Sequence, residues 1–240
     1  VKDARARDKW SQMMYFDTAG GLGGHTRADV HELDRALTAL ADVGDEDPTR
    51  THREVEVAIS VAGDEAPGLW SVRNSFATLD STDDSYQWEP LSLVNSSDLR
   101  DIRFQGMLRG AMERQSAKEV TTGNQAKGVM ALHLSGHGSG FEIASMDMGE
   151  IRMSVREEIG DGRIDLVTFD GCLMGNVESL LMVDGLTRWV VGNPQRIPER
   201  GWDWDEQVML NARSVSNDNS ESEAFTTKSH VETLVTSAAN

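Results

Sequence analysis

The sequence holds a single cysteine, Cys172, so no disulfide can form within the chain and the redox compartment stays undetermined. Lysine is scarce, at positions 2, 9, 118, 127 and 228 only, and no cluster of Lys and Arg could take up a run of phosphates. With 40 acidic against 23 basic residues and a formal charge of −17, nucleic acid and anionic membrane surfaces are both disfavoured as partners. No apolar run approaches the roughly 18 residues of a membrane helix, and the N-terminal stretch lacks the charged-then-apolar pattern of a secretory leader. The chain therefore reads as soluble. Because it begins at Val1 and not Met, it is expected to be a processed or excised piece without its native termini, and secreted and cytoplasmic locations both stay open. The acid excess resembles that of proteins from high-salt cytoplasms, where screening removes self-repulsion, and it equally fits an ordinary acidic soluble protein. Internal repeats and long low-complexity segments are missing too.

What remains is a chain of 240 residues, enough for one large α/β domain or two small ones, and a single domain over residues 1–240 is the simpler reading. Trp10 to Phe16 reads as a strand ended by Asp17, with the glycine-rich loop Gly20 to Gly24 behind it. From Asp29 to Val43, apolar Val30, Leu33, Leu37, Leu40 and Val43 recur at three and four, which predicts an amphipathic helix stopped by Gly44. Glu54 to Ala62 alternates Val55, Val57, Ile59 and Val61 and predicts a strand suited to a sheet edge. Gly63 to Asn95 reads as loops with room for a hairpin, and Asp98 to about Ala117 as a helix that Ser96 or Ser97 could cap. Gly128 to Leu134 is a third strand, Met148 to Ile159 a helix, Ile164 to Phe169 a fourth strand, Met174 to Val183 a helix and Trp189 to Gly192 a fifth strand. Loop and acidic helices are expected to follow. Strands joined by helical crossovers imply a mostly parallel sheet covered on both faces, with reacting groups beyond the carboxyl ends of the strands.

Two such ends carry reactive residues. The third strand runs into Ser135-Gly136-His137-Gly138-Ser139-Gly140, and the fourth into Asp170-Gly171-Cys172, thirty-five residues after His137. A thiolate attacks carbonyl carbon, and an imidazole within hydrogen-bond reach favours that form and can protonate a leaving amine. A helix opening at Cys172 would add its local field and backbone N–H groups for a developing oxyanion, and Gly138, with no side chain, could bring its own N–H close. Against this stands a small buried cysteine beside a histidine in a surface turn.

Leu134-Ser135-Gly136-His137-Gly138-Ser139-Gly140-Phe141 and Phe169-Asp170-Gly171-Cys172-Leu173-Met174-Gly175, followed by Glu178, resemble the two signature blocks of the clostripain-like cysteine peptidases. These belong to the caspase-fold group with gingipains, legumains and separases. Trp10 to Phe16 is similar to the family's opening strand, Asp29 to Gly44 to its first helix, and Val190 to Trp202 to its segment of strand, Ile-Pro and Gly-Trp. The resemblance implies an α/β caspase-like fold, a mostly parallel sheet with helices on both faces in a three-layer sandwich. It implies His137 as general base and acid, Cys172 as nucleophile, and an oxyanion site from the Gly138 and Cys172 amides. It implies a peptide or protein substrate, here taken up by a monomer. Asp170 matches the acid that lines the pocket for a basic residue on the acyl side of the cut bond, together with Trp202, and a carboxylate there would pair with Arg or Lys. The same carboxylate could instead cap a helix start. Arg200 stands where the family commonly has an acid before the Gly-Trp pair, and this leaves the basic preference open, with Glu199, Asp203 and Asp205 near enough in sequence to substitute. Gly171 replaces a frequent Ala, and Ser135-Gly136 a more usual Trp-Asp pair. Many relatives cut themselves after a basic residue, for which Arg152, Arg156 and Arg163 lie between the two blocks.

The alternatives come from other classes: a non-enzymatic caspase-fold module that binds a peptide or partner, and an acyl-transferring enzyme on the same residues. The glycines at 20–24 miss Gly-x-Gly-x-x-Gly spacing, so nucleotide binding is disfavoured. His133 reads as a satisfied core histidine, and His25, His31, His52 and His230 show no zinc-ligand spacing. Met146, Met148, Met153, Met174 and Met182 read as core filling. No cofactor is required. Some relatives use calcium, for which Asp80, Asp83 and Asp84 are candidates, solvated surface being the other reading.

Overall fold

Short apolar runs rich in Met, Val, Ile and Phe set the strands, and stripes at helical spacing set the helices that cover them. The computed structural model describes residues 9–42, 54–62, 75–79, 88–90, 99–122, 129–161, 163–197 and 201–204. In chain order the strands are β1 (Lys9–Asp17), β2 (Glu54–Ala62), β3 (Ser75–Leu79), β4 (Trp88–Pro90), β5 (Val129–Ser135), the small hairpin β6 (Glu142–Ile143) and β7 (Met146–Asp147), β8 (Ile164–Asp170) and β9 (Thr187–Gly192). The helices are α1 (Gly23–Asp42), α2 (Leu99–Thr122), α3 (Met148–Glu158) and α4 (Val177–Met182). Seven strands share one sheet in the order β4-β3-β2-β1-β5-β8-β9. The five from β2 to β9 in that order are parallel, and β3 and β4 add to β2 antiparallel.

The pleat sends alternate residues of each strand to opposite faces, and both faces are covered. On one face Met14, Phe16, Val57, Ile59 and Val61 pack with Val30, Leu33, Ala36 and Leu37 of α1 and with Trp204. On the other, Met13, Tyr15, Leu132, Leu134, Val167 and Phe169 pack with Phe104, Met107 and Leu108 of α2 and with Met148, Ile151 and Val155 of α3. The result is a caspase-like three-layer α/β sandwich. Asp147 starts α3 with a capping box: its Oδ1 accepts from Gly149 N at 2.7 Å while Glu150 Oε2 accepts from Asp147 N at 3.1 Å.

Several boundaries differ from the sequence expectation. The glycine-rich loop is a single 3-10 turn, Ala19–Gly21, in which Gly20 takes φ +68°, and α1 begins at Gly23, six residues before Asp29. Its polar first turns carry no apolar stripe, so the pattern starts late. β2 does not lie at an edge: β3 pairs with it, and every residue from Val57 to Ala62, Ser60 included, is buried. Cys172 does not open a helix. Residues 171–176 are turns, Leu173 takes φ +64°, and the true cap is Asn176, whose side chain accepts from Ser179 N at 2.8 Å. Met153 lies on the outer side of α3 and is exposed, unlike Met146, Met148 and Met174. The expected acidic helices after residue 204 lie outside the described residues, as do His52, His230 and the calcium candidates Asp80, Asp83 and Asp84.

Candidate active site

From β1 the chain turns one way to β2 and later returns to β5 on the other side, so the order of the sheet reverses between β1 and β5. A crevice outside the carboxyl ends of the strands opens at such a point. Three loops meet there, those after β1, β5 and β8. Ser135 and Asp170 are register partners at the ends of β5 and β8, so His137 and Cys172 each lie two residues beyond one paired position. The Gly136 amide donates to Asp170 O at 3.1 Å and continues the ladder into the loops.

The backbones of the two motifs touch at Gly138. A Cβ there would stand 2.9 Å from Cys172 N and 2.9 Å from Met174 Cγ, and nearer still to Cys172 O, so only glycine fits. The amides of Ser139 and Ala144 close the turn after His137, donating to Glu142 O at 3.0 Å and His137 O at 3.1 Å. The Gly138 and Cys172 amides take no partner among the described residues. The imidazole of His137 is exposed, with Nε2 3.3 Å from Gly20 O. Gly20 is needed at that spot, since a Cβ would come 2.6 Å from Nε2 and its φ is positive. The half-buried Cys172 Sγ lies 3.9 Å from Ile197 O. Asp17, at the end of β1, accepts from Ala19 N at 3.1 Å and from Ser145 Oγ, tying the loop after β1 to the one that carries His137.

Below this rim, on the α1 face, lies a buried polar layer. Asp170 is only 4% exposed; its Oδ2 accepts from Ser135 Oγ at 3.2 Å and from Trp202 N at 3.3 Å, while Oδ1 is buried without a partner among the described residues. Burial pushes Asp170 up to about 6, against the pull of the two hydrogen bonds. Asp29 of α1, 6% exposed, is pushed up to about 8 by burial, then by the charges of Asp170 and Glu32. Glu32 Oε2 accepts from Trp204 N at 3.1 Å. Trp204 is fully buried, edge-on to Phe16 at 5.8 Å and to His133 at 5.3 Å, and Trp202 leans on it at 5.9 Å. His133 is buried, a core histidine as expected, with Nδ1 2.7 Å from Thr168 Oγ1.

The structure thus brings Gly138 against Cys172 and Trp202 against Asp170, while Arg200 lies outside the described residues. Sequence reasoning missed Gly20, Ser135 and Asp29. Only Asp29 carried a signal, standing four residues before Leu33 on the buried stripe of its helix, where a polar residue is out of place. No group of three or more His, Cys, Asp or Glu side chains that could hold a metal ion occurs among the described residues.

A mostly parallel sheet covered by helices on both faces, with a thiol and an imidazole beyond neighbouring strand ends, is a caspase-like α/β fold. Residues 135–237, which hold both side chains, match the model described as the Clostripain family. Among solved structures, the fold is similar to an inactive zymogen C11 protease from Parabacteroides distasonis, at 13% identity and a TM-score of 0.51, over 88% of this chain and 55% of that one. It is also similar to a secreted C11 cysteine protease from Bacteroides thetaiotaomicron in complex with an irreversible peptide inhibitor, at 12% identity and a TM-score of 0.55, over 88% and 55%. A second structure of a secreted C11 cysteine protease from that organism, "iotapain", aligns at 11% identity and a TM-score of 0.56, over 85% and 57%. The chain spans little more than half the length of these proteins. No curated protein sequence matches it. No helix among the described residues is long and apolar enough to cross a membrane.

Proposed function

We propose that this chain is the catalytic part of a cysteine endopeptidase, with Cys172 as nucleophile and His137 as general base and acid. The carrying observation is the contact of the two motifs at Gly138, which sets both loops beyond one paired strand position. Gly20 O, accepting from His137 Nε2–H, selects the tautomer that leaves Nδ1 free for the thiol. Nδ1 takes the thiol proton, sulfur bonds to the carbonyl carbon of the substrate, and the Gly138 and Cys172 N–H groups receive the oxyanion. As the tetrahedral species collapses, the C–N bond breaks and the leaving amine carries off the proton from His137. Water then splits the thioester, its proton returning through His137 to sulfur.

Asp170, beside Trp202, is read as the pocket carboxylate: its Oδ1 is buried without a partner among the described residues, the chemistry that takes Arg or Lys on the acyl side. The test is labelling by an arginine chloromethyl ketone with the adduct mapped by mass spectrometry. Stoichiometric modification of Cys172, absent after Cys172→Ala, is expected. A folded sample that labels elsewhere, or with no recognition residue at all, would leave the non-enzymatic peptide-binding module in its place.

A further inference from the structure

The small hairpin β6-β7 closes on Ala144 and Ser145, with Ile143 paired to Met146 on either side. Both turn residues are left-handed, at φ +52° and +61°. A two-residue hairpin turn with two positive φ angles takes Asn and Gly at little cost, whereas alanine and serine are strained there, and such strain persists where surrounding contacts over-determine it. Those contacts lead to His137. Ala144 is buried, and its N–H donates to His137 O at 3.1 Å. Gly136 is clasped between Ala144 and Asp17: a Cβ on it would stand 2.9 Å from Ala144 Cα and 3.3 Å from Asp17 Cβ. Ser145 Oγ donates to Asp17 Oδ2, and Asp17 Oδ1 accepts from Ala19 N at 3.1 Å, next to the Gly20 carbonyl that lies 3.3 Å from His137 Nε2. From the backbone of His137 the connections run through Ala144, Ser145, Asp17, Ala19 and Gly20 and return to the imidazole of the same residue.

We propose that Ser145 and Asp17 are positioning residues for the catalytic histidine, closing a ring of hydrogen bonds that fixes where the Gly20 carbonyl stands and so how the His137 imidazole is turned. This rests on the peptidase reading above. Among the described residues Gly20 O is the hydrogen-bond partner of the exposed imidazole, and a loop carbonyl can direct a side chain only if the loop is itself held. Thr18 is fixed to Ala62 O by its N–H at 3.1 Å and its hydroxyl at 2.9 Å, so the remaining freedom lies beyond it, where Asp17 reaches forward to Ala19 and across to Ser145. Loss of the Ser145 hydroxyl leaves an oxygen of the buried Asp17 carboxylate unpaired; the carboxylate turns to find another donor, and its bond to Ala19 goes with it. Glycine at 145 would relax the backbone but supply no donor, which accounts for a strained serine at the tip.

The experiment measures alkylation of Cys172 by iodoacetamide at about pH 6 and about pH 9, together with Tm, for wild type, Ser145→Ala, Asp17→Ala, the double variant and Asp17→Asn. A thiol paired with an imidazole reacts well below pH 7, whereas near pH 9 an ordinary thiol ionises without help, so the ratio of the two rates reports the pairing and a merely structural role does not move it. Ser145→Ala and Asp17→Ala should each lower that ratio about tenfold, with the rate near pH 9 kept within about twofold. Because both break one bridge, the double variant should be no worse than either single one, and with no carboxylate left unpaired it carries the test where Ser145→Ala does not fold. Asp17→Asn keeps an acceptor for Ala19 and a partner for the hydroxyl, and should retain most of the ratio. A folded variant of Ser145→Ala or the double with an unchanged ratio, or with a lowered Tm alone, overturns the inference and leaves the peptidase reading standing. Effects that simply add, or an Asp17→Asn protein as impaired as Asp17→Ala, would mean separate roles and overturn it too. Wild type whose ratio is that of an ordinary thiol overturns the peptidase reading and the inference with it.

Discussion

Substituting Gly138 by alanine probes the contact on which the site is built. The new methyl would lie 2.9 Å from both Cys172 N and Met174 Cγ, whereas ordinary contacts at a Cβ begin at 3.4 Å. Cys172 N, and Cys172 O which is nearer still, are backbone and cannot swing aside, so the loops after β5 and β8 must part by roughly 1 Å to restore normal separations. Because Ser135 and Asp170 stay paired just below, the movement is forced into the loops that carry His137 and Cys172. Overpacking of this kind typically destabilises by about 1–3 kcal/mol, a few degrees in Tm for a domain of this size. A misplacement near 1 Å costs on the order of a hundredfold in rate. Gly138→Ala is therefore expected to remain folded by thermal melting, and to react with an arginine chloromethyl ketone about a hundredfold more slowly than wild type. A folded variant that reacts within about threefold of wild type would show that the approach of the two motifs has no part in catalysis.

Stability should fall as the pH rises, because burial lifts Asp29 to about 8 and Asp170 to about 6, above the ordinary 3.8. The folded chain holds protons that the unfolded chain has released, so this stabilisation is complete below about pH 4 and is lost progressively up to about pH 8, at up to ~1.4 kcal/mol per unit for each group. Urea unfolding at several pH values should show Asp29→Asn flattening the slope between about pH 6 and 8, while repulsion among surface acids acts on both proteins alike; an unchanged slope refutes the assignment. Gly20→Ala places a methyl 2.6 Å from His137 Nε2, and should abolish ketone labelling with only a small drop in Tm; full labelling would refute the role of this carbonyl. Self-cleavage between the motifs, if it occurs, should fall after Arg163, which is exposed just before β8, and not after Arg152 or Arg156, which lie within α3, with Arg152 bonded to Asp184 O at 3.0 Å and Arg156 to Asp161 at 2.7 Å. Mass spectrometry of stored wild type beside Cys172→Ala reads the position.

The parallel strands were legible to within a residue or two, because runs such as Ile164–Asp170 are apolar on both faces and bounded by glycine. Helix starts were less legible. At α1 the first turns are glycine and polar residues that make no stripe, and at α4 the turn entered by a left-handed Leu173 takes up residues 174–176 at the start of the run from Met174 to Val183, although Asn176 with Ser179 three residues on was a readable cap. β2 looked like an edge because its N-terminal half alternates with Glu54 and Glu56, and the strand that covers it, β3, is too short to announce itself. The motifs located His137, Cys172 and Asp170 because their chemistry is carried by side chains. Gly20 acts through a carbonyl, and Asp29 is buried on a helix whose Glu32 holds Trp204, 172 positions further along the chain (204 − 32), which local pattern cannot express.

The pairing of β5 with β8 has a consequence for a severed molecule. Met130 N on one strand is held by Asp165 Oδ2 of the other at 3.0 Å, and both strands share a core with α3. A break at the turn before β8 would cut the polypeptide without opening that seam, so the two fragments would migrate as one particle and come apart only under denaturing conditions. Imidazole and thiol would then belong to different polypeptides that still form a single reactive centre.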